Sequence, residues 1–219
     1  MRCDIIDLGI SDYSDSLNYQ KQILEKRFLS AIPDTLIFVQ HEPVITLGIK
    51  GGEQNILQPL KDLQKKGIEV IKTDRGGDVT YHGPGQIVAW PIFDLKNIGK
   101  DIHKYLRMLE ETVILLLNDY KINADRLDGF TGVWAGEDKI SSVGVGIRKW
   151  VSYHGISLNV STSLEHLGLI HPCGLKNRRS TTMANISGKE FDIDKIKDSW
   201  QDKFKTVFDL EFTEIEKVP

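Results

Sequence analysis

One long amphipathic segment, at about Asp101–Tyr120, most constrains what this chain can fold into. Apolar residues recur along it at three- and four-residue spacing, which predicts a helix with one buried face. Segments of alternating or β-branched apolar residues, typical of strands, precede and follow it. They lie at about Thr35–Gln40, Ile68–Lys72, Gln86–Phe93, Lys139–Lys149 and Val151–Val160. This order predicts an α/β or α+β fold with a mixed sheet flanked by helices.

Two further helices are predicted at about Asp15–Leu29 and Asp194–Phe208, and a short one between Pro59 and Gly67. His154 has the same parity as the apolar residues of its strand, so its side chain is expected to point inward. No shift in composition marks a linker, and residues 1–219 are therefore expected to form a single domain.

Composition excludes several classes of protein. Lys and Arg number 28 against 31 Asp and Glu, and a net charge of −3 excludes a generally basic nucleic-acid binder. The longest apolar run, Val113–Leu117, is too short to cross a bilayer, and the first residues carry no signal-peptide pattern. The two cysteines, Cys3 and Cys173, cannot form a disulfide framework. A reducing, cytoplasmic setting is predicted.

The first dense motif runs from Arg75 to Gln86 and contains four glycines and a proline. Such backbone turns sharply and can approach a ligand closely. The stretch lacks the spacing of a nucleotide phosphate loop. The glycines alone favour a tight hairpin between two strands, and with Arg75, Tyr81 and His82 a binding loop becomes an equal alternative.

The second motif is His171-Pro172-Cys173-Gly174. Pro172 keeps its predecessor extended, and Gly174 permits an unusual turn directly after the thiol. Such a turn can expose both a nucleophilic sulfur and the next backbone N–H. A buried inert cysteine and a metal site with distant histidines are the alternatives; Cys3, without such neighbours, is expected to be inert.

The third motif is Gly132–Ile140, which contains Lys139. By itself Lys139 is expected to be a solvated residue at a strand end, and a functional role requires it to meet Cys173 in space. Basic residues near these motifs form either ordinary surface or a docking patch for an acidic protein. They are Arg148, Lys149, Lys176, Arg178 and Arg179.

Together these motifs resemble the octanoyltransferase family of lipoate biosynthesis. The matching stretches are HEPVITLG at His41–Gly48, RGGDVTYHGPGQIVAWPI at Arg75–Ile92, GVW at Gly132–Trp134 with the Lys139-Ile140 pair, VSYHGISLNV at Val151–Val160 and HPCGL at His171–Leu175. They follow the family's order over most of the chain. The resemblance implies a mixed sheet flanked by helices, as in the catalytic domain of biotin and lipoate protein ligases.

The resemblance also implies a reaction. An octanoyl group would move from acyl carrier protein to a lysine of the lipoyl domains of 2-oxoacid dehydrogenases, or of the glycine-cleavage H protein. Cys173 would be the nucleophile, and Lys139 would lower its pKa and transfer the proton. The implied acyl-pocket residues are Arg75, Gly76, Gly77, Asp78, Val79, Thr80, Tyr81, His82, Ser142, Val143, Gly144, Gly155, Ile156 and Ser157. No metal, nucleotide cofactor, nucleic acid or membrane is expected, and the family is expected to be monomeric.

These roles are chemically reasonable. A free thiol with a pKa near 8.5 is only a few per cent thiolate at neutral pH, and a nearby ammonium raises that fraction. The Gly174 N–H is the expected oxyanion donor. A thioester is already activated, so no ATP is needed.

Two single positions and one run depart from the family pattern: Asp78, Glu42 and Thr181-Thr182-Met183. Because of these departures, the resemblance does not predict the shape of the pocket mouth or the surface that docks the carrier. The alternatives are an ATP-dependent lipoate or octanoate ligase of the same fold, a non-catalytic acyl-carrier-binding module, and a cysteine hydrolase that pairs Cys173 with His82 or His154.

Overall fold

A seven-stranded mixed sheet forms the centre of the fold. The computed structural model describes residues 1–175 and 177–217, apart from the side chains of Cys173 and of residues 214–217. The strands are β1 (Arg2–Ser11), β2 (Asp34–His41), β3 (Val44–Leu47), β4 (Glu69–Lys72), β5 (Val79–His82), β6 (Gln86–Ile92), β7 (Val133–Ala135), β8 (Asp138–Arg148), β9 (Val151–Asn159) and β10 (Glu211–Lys217). The α-helices are α1 (Tyr13–Phe28), α2 (Leu60–Lys65), α3 (Ile102–Asp119), α4 (Leu164–Leu167), α5 (Met183–Ser187) and α6 (Ile193–Phe208).

The large sheet has the strand order β10-β1-β2-β6-β9-β8-β7. Strand β1 runs parallel to both β2 and β10, and the remaining neighbours are antiparallel. A second sheet of three strands has the order β4-β3-β5, with β3 parallel to β4 and antiparallel to β5. The predicted mixed sheet with flanking helices is confirmed.

Helices cover both faces of the large sheet. Asp101 caps α3 by accepting a 2.9 Å hydrogen bond from the backbone N–H of Lys104, which satisfies one of the free donors of the first turn. Leu109 on α3 and Phe204 on α6 are fully buried in the largest apolar core. Helix α1 packs on a second core through Ile23 and other residues.

A third core lies beneath the small sheet. It joins Val79 and Tyr81 of β5 to Leu167 of α4 and to Ile170, which directly precedes the thiol motif. The small sheet therefore supports the segment that carries Cys173. No helix in the described ranges is both long enough and apolar enough to span a bilayer.

Element types were predicted well, with boundaries that differ by about two residues. The predicted helix at Asp101–Tyr120 is observed at Ile102–Asp119. His154 is buried, as its parity predicted. Cys3 is fully buried and its pKa is raised, mainly by desolvation, as expected for a thiol of low reactivity.

Candidate active site

The backbone of the thiol motif forms the predicted turn. His171 is extended, Pro172–Gly174 make one turn of 3₁₀ helix, and Gly174 has a φ of 71°. The side chain of Cys173, the predicted nucleophile, lies outside the described part of the structure. The Gly174 N–H donates a 3.0 Å hydrogen bond to the His171 carbonyl. Donation from this amide to an oxyanion therefore remains a prediction, and it requires that bond to be shared or released.

Asn55 and Asp78 support the turn from one side. The backbone N–H of His171 donates to the Asn55 carbonyl at 2.9 Å. The Asn55 side-chain amide donates to the Asp78 carboxylate at 2.7 Å. A Cβ added to Gly174 would lie 2.9 Å from an Asp78 oxygen. Asp78 therefore contacts the thiol turn itself.

Lys139 is buried, with only 3% of its surface exposed. The expectation of a solvated lysine at a strand end is therefore wrong. Its backbone N–H donates to the Arg179 carbonyl at 2.8 Å, and its carbonyl accepts from the Thr181 N–H at 2.9 Å. Its Nζ lies 5.5 Å from the centroid of the Trp134 ring, within cation–π range. The chain that follows the thiol turn thus pairs directly with the lysine strand.

A groove of about 440 Å³ is lined by residues that lie near each of the two predicted catalytic residues in sequence. His171, two residues before Cys173, lines it together with Asp138, which directly precedes Lys139. Arg178 and Arg179 lie on the same groove. The groove therefore borders both the start of the thiol turn and the strand that carries Lys139.

A small cavity of about 20 Å³ lies between β5, β6, β8 and β9, with room for about one water molecule. Eight of the expected acyl-pocket residues line it. They are Arg75, Thr80, His82, Ser142, Gly144, Gly155, Ile156 and Ser157. The structure therefore brings both halves of the predicted pocket, the arginine–glycine stretch and the β8–β9 pair, around one cavity.

Six predicted lining residues do not reach this cavity. Val79 and Tyr81 are buried in the third core. Gly76, Gly77, Asp78 and Val143 line a separate cavity of about 340 Å³, which Gly144 also borders. Alternation along strands accounts for Val79, Tyr81 and Val143, because neighbouring side chains point to opposite faces.

Four residues complete the small cavity without having been predicted there. Val88 and Trp90 come from β6, His154 from β9 and Tyr13 from α1. The alternation of β6 and the inward parity of His154 were visible in the sequence. Nothing in the sequence indicated Tyr13.

Arg75 places a positive charge in the cavity wall, with only 5% of its surface exposed. Its guanidinium donates to the Thr46 hydroxyl at 2.8 and 3.1 Å, to the Thr46 carbonyl at 2.7 Å and to the Gly76 carbonyl at 3.0 Å. These bonds hold the start of the glycine-rich loop against β3. The first part of the Arg75–Gln86 motif is therefore a loop that these hydrogen bonds hold in place and that leads into strand β5.

His82 is held in one tautomer by its neighbour Gln86. The Gln86 amide nitrogen donates to the Tyr81 carbonyl at 3.0 Å and to the Asn159 side-chain oxygen at 2.8 Å. The Gln86 oxygen therefore accepts from His82 Nδ1 at 2.6 Å. Burial, followed by the charges of His41 and Arg75, holds the His82 pKa well below its usual value. His82 is a neutral imidazole at pH 7.

Two more buried histidines lie close to this cavity. Burial lowers the pKa of His41 to about 4. It also lowers the pKa of His154, against the opposing effect of Asp74, whose carboxylate lies 2.9 Å from Nε2. In the described residues, His41 Nε2 and His154 Nδ1 have no hydrogen-bond partner. The region beside the cavity thus holds neutral imidazoles and disfavours additional positive charge.

The chain matches the family model of the lipoyl protein ligase A/B catalytic domain over residues 12–205. It is 44% identical over 213 residues to an octanoyltransferase from Thermoanaerobacter pseudethanolicus, an alignment that covers 97% of this chain and 92% of the relative. The chain belongs to the lipoyl protein ligase A/B catalytic domain family and, within it, to the octanoyltransferases. It is therefore an enzyme of the acyltransferase class.

Solved structures show the same fold at low sequence identity. A lipoate-protein ligase A bound with ATP superposes with a TM-score of 0.78 at 18% identity, covering 100% of this chain and 90% of that one. The apo biotin protein ligase from Aquifex aeolicus gives a TM-score of 0.56 at 16% identity, with coverages of 94% and 69%. The expected likeness to the biotin and lipoate ligase catalytic domain is confirmed.

Proposed function

We propose that this enzyme transfers an octanoyl group from octanoyl-acyl carrier protein to a lysine of a lipoyl domain through a thioester on Cys173. The acceptors are the lipoyl domains of 2-oxoacid dehydrogenases and the glycine-cleavage H protein. The observation that carries the proposal is the burial of Lys139 on a strand that borders the same groove as the thiol turn. A buried ammonium near a cysteine favours the thiolate.

The first half-reaction is a thioester exchange. The Cys173 thiolate attacks the octanoyl carbonyl carbon, a new carbon–sulfur bond forms, and the carrier thiolate leaves and takes a proton from Lys139. The energies of the two thioesters are similar, so no external energy source is required. The carrier can leave before the acceptor binds.

The second half-reaction forms an amide. The acceptor lysine amine attacks the Cys173 thioester and loses a proton to Lys139, now neutral, and Cys173 leaves as the thiolate, which restores the starting thiolate and ammonium. Lys139 thus alternates as acid and base. The Gly174 N–H donates to the tetrahedral oxyanion when its bond to the His171 carbonyl opens.

The octanoyl chain occupies the cavity between β5, β6, β8 and β9. Ser142, Gly144 and Gly155 present little or no side chain there. Each buried methylene contributes about 0.8 kcal/mol. Because the empty cavity measures only about 20 Å³, the chain displaces neighbouring side chains as it binds.

Both protein substrates approach through the groove beside the thiol turn. Arg178 and Arg179 border it, and Arg178 lies 3.5 Å from the Glu137 carboxylate. Acidic side chains of the carrier or of the lipoyl domain compete with Glu137 for these guanidinium groups. The enzyme acts as a cytoplasmic monomer and requires no metal or nucleotide.

Intact mass measurement tests the proposal. The protein is mixed with octanoyl-acyl carrier protein without ATP, and one octanoyl adduct is expected on Cys173. Cys173→Ala must fail to acquire it. A wild-type protein that acquires no adduct contradicts the covalent mechanism.

The same protein is then supplied with a lipoyl domain, and the octanoyl group is expected to move to the lysine of that domain. Efficient transfer from free octanoate and ATP, with no carrier thioester present, would instead establish the ligase alternative. Loss of the adduct to water, with no transfer, would indicate a hydrolase. Complex formation with the carrier but no covalent product would indicate a binding module.

A further inference from the structure

A buried carboxylate on helix α3 connects to the backbone beside Lys139. Glu110 is fully buried, and its Oε1 accepts a 2.8 Å hydrogen bond from the backbone N–H of Gly132. Its Oε2 accepts from Arg107 at 2.7 Å and from Arg126 at 3.2 Å. Burying a carboxylate is costly unless it is paired in this way. A single carboxylate therefore joins two guanidinium groups to one backbone amide.

Gly132 is the residue that meets the lysine side chain. Its φ is 118°, in the region that favours glycine. A Cβ at this position would lie 2.7 Å from Lys139 Cε and 2.5 Å from the Ser141 carbonyl oxygen. The backbone of Gly132 therefore forms one wall of the channel that holds the lysine stem, and the Trp134 ring lies near its ammonium group.

We infer that Glu110 is a positioning residue for octanoyl transfer. Its hydrogen bond to the Gly132 N–H fixes the backbone wall that holds the ammonium of Lys139 in place for the Cys173 thiol. Glu110 acts through Gly132 and touches neither the thiol nor the substrate. The inference rests on the proposed pairing of Lys139 with Cys173.

For positioning Lys139, the reach of the Glu110 side chain to the Gly132 N–H matters more than its negative charge. Glu110→Gln keeps an oxygen at the same reach for the Gly132 N–H, but it removes the negative charge, and its amide NH2 cannot accept the hydrogen bonds from Arg107 and Arg126. Glu110→Asp keeps the charge for both arginines and withdraws the carboxylate by about 1.5 Å. The pair of variants therefore separates the hydrogen bond from the electrostatic effect.

The readout is the rate of Cys173 alkylation by iodoacetamide as a function of pH, without acyl donor. Cys3 is buried and does not interfere. Removal of the ammonium in Lys139→Ala is expected to move the midpoint to higher pH. Other charged or titratable groups beside the turn, Asp78 and His171, are unchanged in every variant.

Glu110→Asp is expected to produce at least half of the shift seen in Lys139→Ala, and Glu110→Gln to stay close to wild type. Glu111→Ala is the matched control, because Glu111 lies on the same helix and pairs with the same Arg126 at 2.5 Å, whereas the Gly132 N–H donates to Glu110. It is expected to keep the wild-type midpoint. Thermal melts confirm that each variant is folded at the assay temperature.

Two results overturn the inference. One is an unchanged midpoint in Glu110→Asp, and the other is a shift in Glu110→Gln as large as that in Glu110→Asp. An unchanged midpoint in Lys139→Ala removes the lysine–thiol pairing and the inference with it. Failure of octanoyl transfer alone is different, because it contradicts the proposed substrate while the alkylation profiles still report on Glu110.

Discussion

Asn55 donates a 2.7 Å hydrogen bond to Asp78, and the two side chains lie directly against Gly174. The bond joins a 3₁₀ turn at Glu53–Asn55, which follows β3, to the glycine-rich loop before β5. It brings both segments to the turn that carries Cys173. The shape of that turn thus depends on two distant parts of the sequence.

Gly174→Ala is expected to disrupt the thiol turn. The new methyl group would lie 2.9 Å from the Asp78 carboxylate, at a φ of 71° that already costs a non-glycine residue about 1–2 kcal/mol. We expect acyl-adduct formation to slow by about 10-fold or more, measured by time-resolved intact mass.

Gly188→Ala provides the control for backbone strain. Gly188 has a φ of 65°, and a Cβ there would have no atom within 4 Å among the described residues. It should lose stability and keep the wild-type rate of acylation. Equal slowing in both variants would show that strain alone, without contact at the thiol turn, explains the effect.

Lys139→Ala is expected to slow formation and discharge of the adduct by about 100-fold, a typical effect of removing a general acid–base group. The rates are followed by mass spectrometry with octanoyl-acyl carrier protein and then a lipoyl domain. Lys195→Ala, at an exposed position of α6, should behave as wild type. Wild-type rates in Lys139→Ala would exclude the proposed role of this lysine.

Ser142→Leu is expected to shorten the acyl chain that the enzyme accepts. The larger side chain fills part of the cavity between β5, β6, β8 and β9. If it displaces about two methylenes, octanoyl transfer weakens by about 1.6 kcal/mol, or about 15-fold. Competition between octanoyl and butanoyl donors measures the ratio of the two transfer rates directly. An unchanged ratio would place the acyl chain elsewhere.

Acidification is expected to destabilise the fold through the buried histidines. Burial lowers the pKa of His41 to about 4 in the folded protein, against an ordinary value of 6.5. As the pH falls below 6.5, the unfolded chain binds a proton that the folded protein does not bind until about pH 4, so stability is lost. His41 alone lowers the free energy of unfolding by about 2 kcal/mol between pH 7.5 and 5.

Urea unfolding at several pH values measures this effect. His41→Phe should show a smaller loss of stability over the same range, because one buried imidazole is absent. His103→Gln changes an exposed histidine on α3 and should retain the wild-type pH dependence. A His41→Phe profile parallel to wild type would show that His41 does not contribute.

Among the described residues, local patterns predicted four of the six α-helices, five of the ten strands and the turn around Gly174, because these depend on periodicity and on backbone preferences of nearby residues. They did not predict β1, where Asp4 and Asp7 interrupt the apolar pattern. That strand is stabilised by distant neighbours, β2 and β10. Asp7 also pairs with Lys197 on α6 at 2.5 Å.

The sequence predicts only those site residues that lie within the recognisable motifs. The acyl pocket was assigned as continuous ranges, although alternation along β5 and β8 allowed Val79, Tyr81 and Val143 to be assigned to other faces. Tyr13 and Glu110 lie outside every motif and reach the site only through tertiary packing. Their distance in sequence from Cys173 and Lys139 explains why no local signal indicates them.

The cavity between β5, β6, β8 and β9 is smaller than an octanoyl chain, so the proposed reaction requires it to open before the chain can bind. If the open arrangement is a minor population, the apparent affinity for the acyl donor falls by the fraction that is open. An opening free energy of about 1.4 kcal/mol would weaken donor binding about tenfold. Substitutions that favour the open arrangement would then tighten donor binding without adding a single contact to the octanoyl chain.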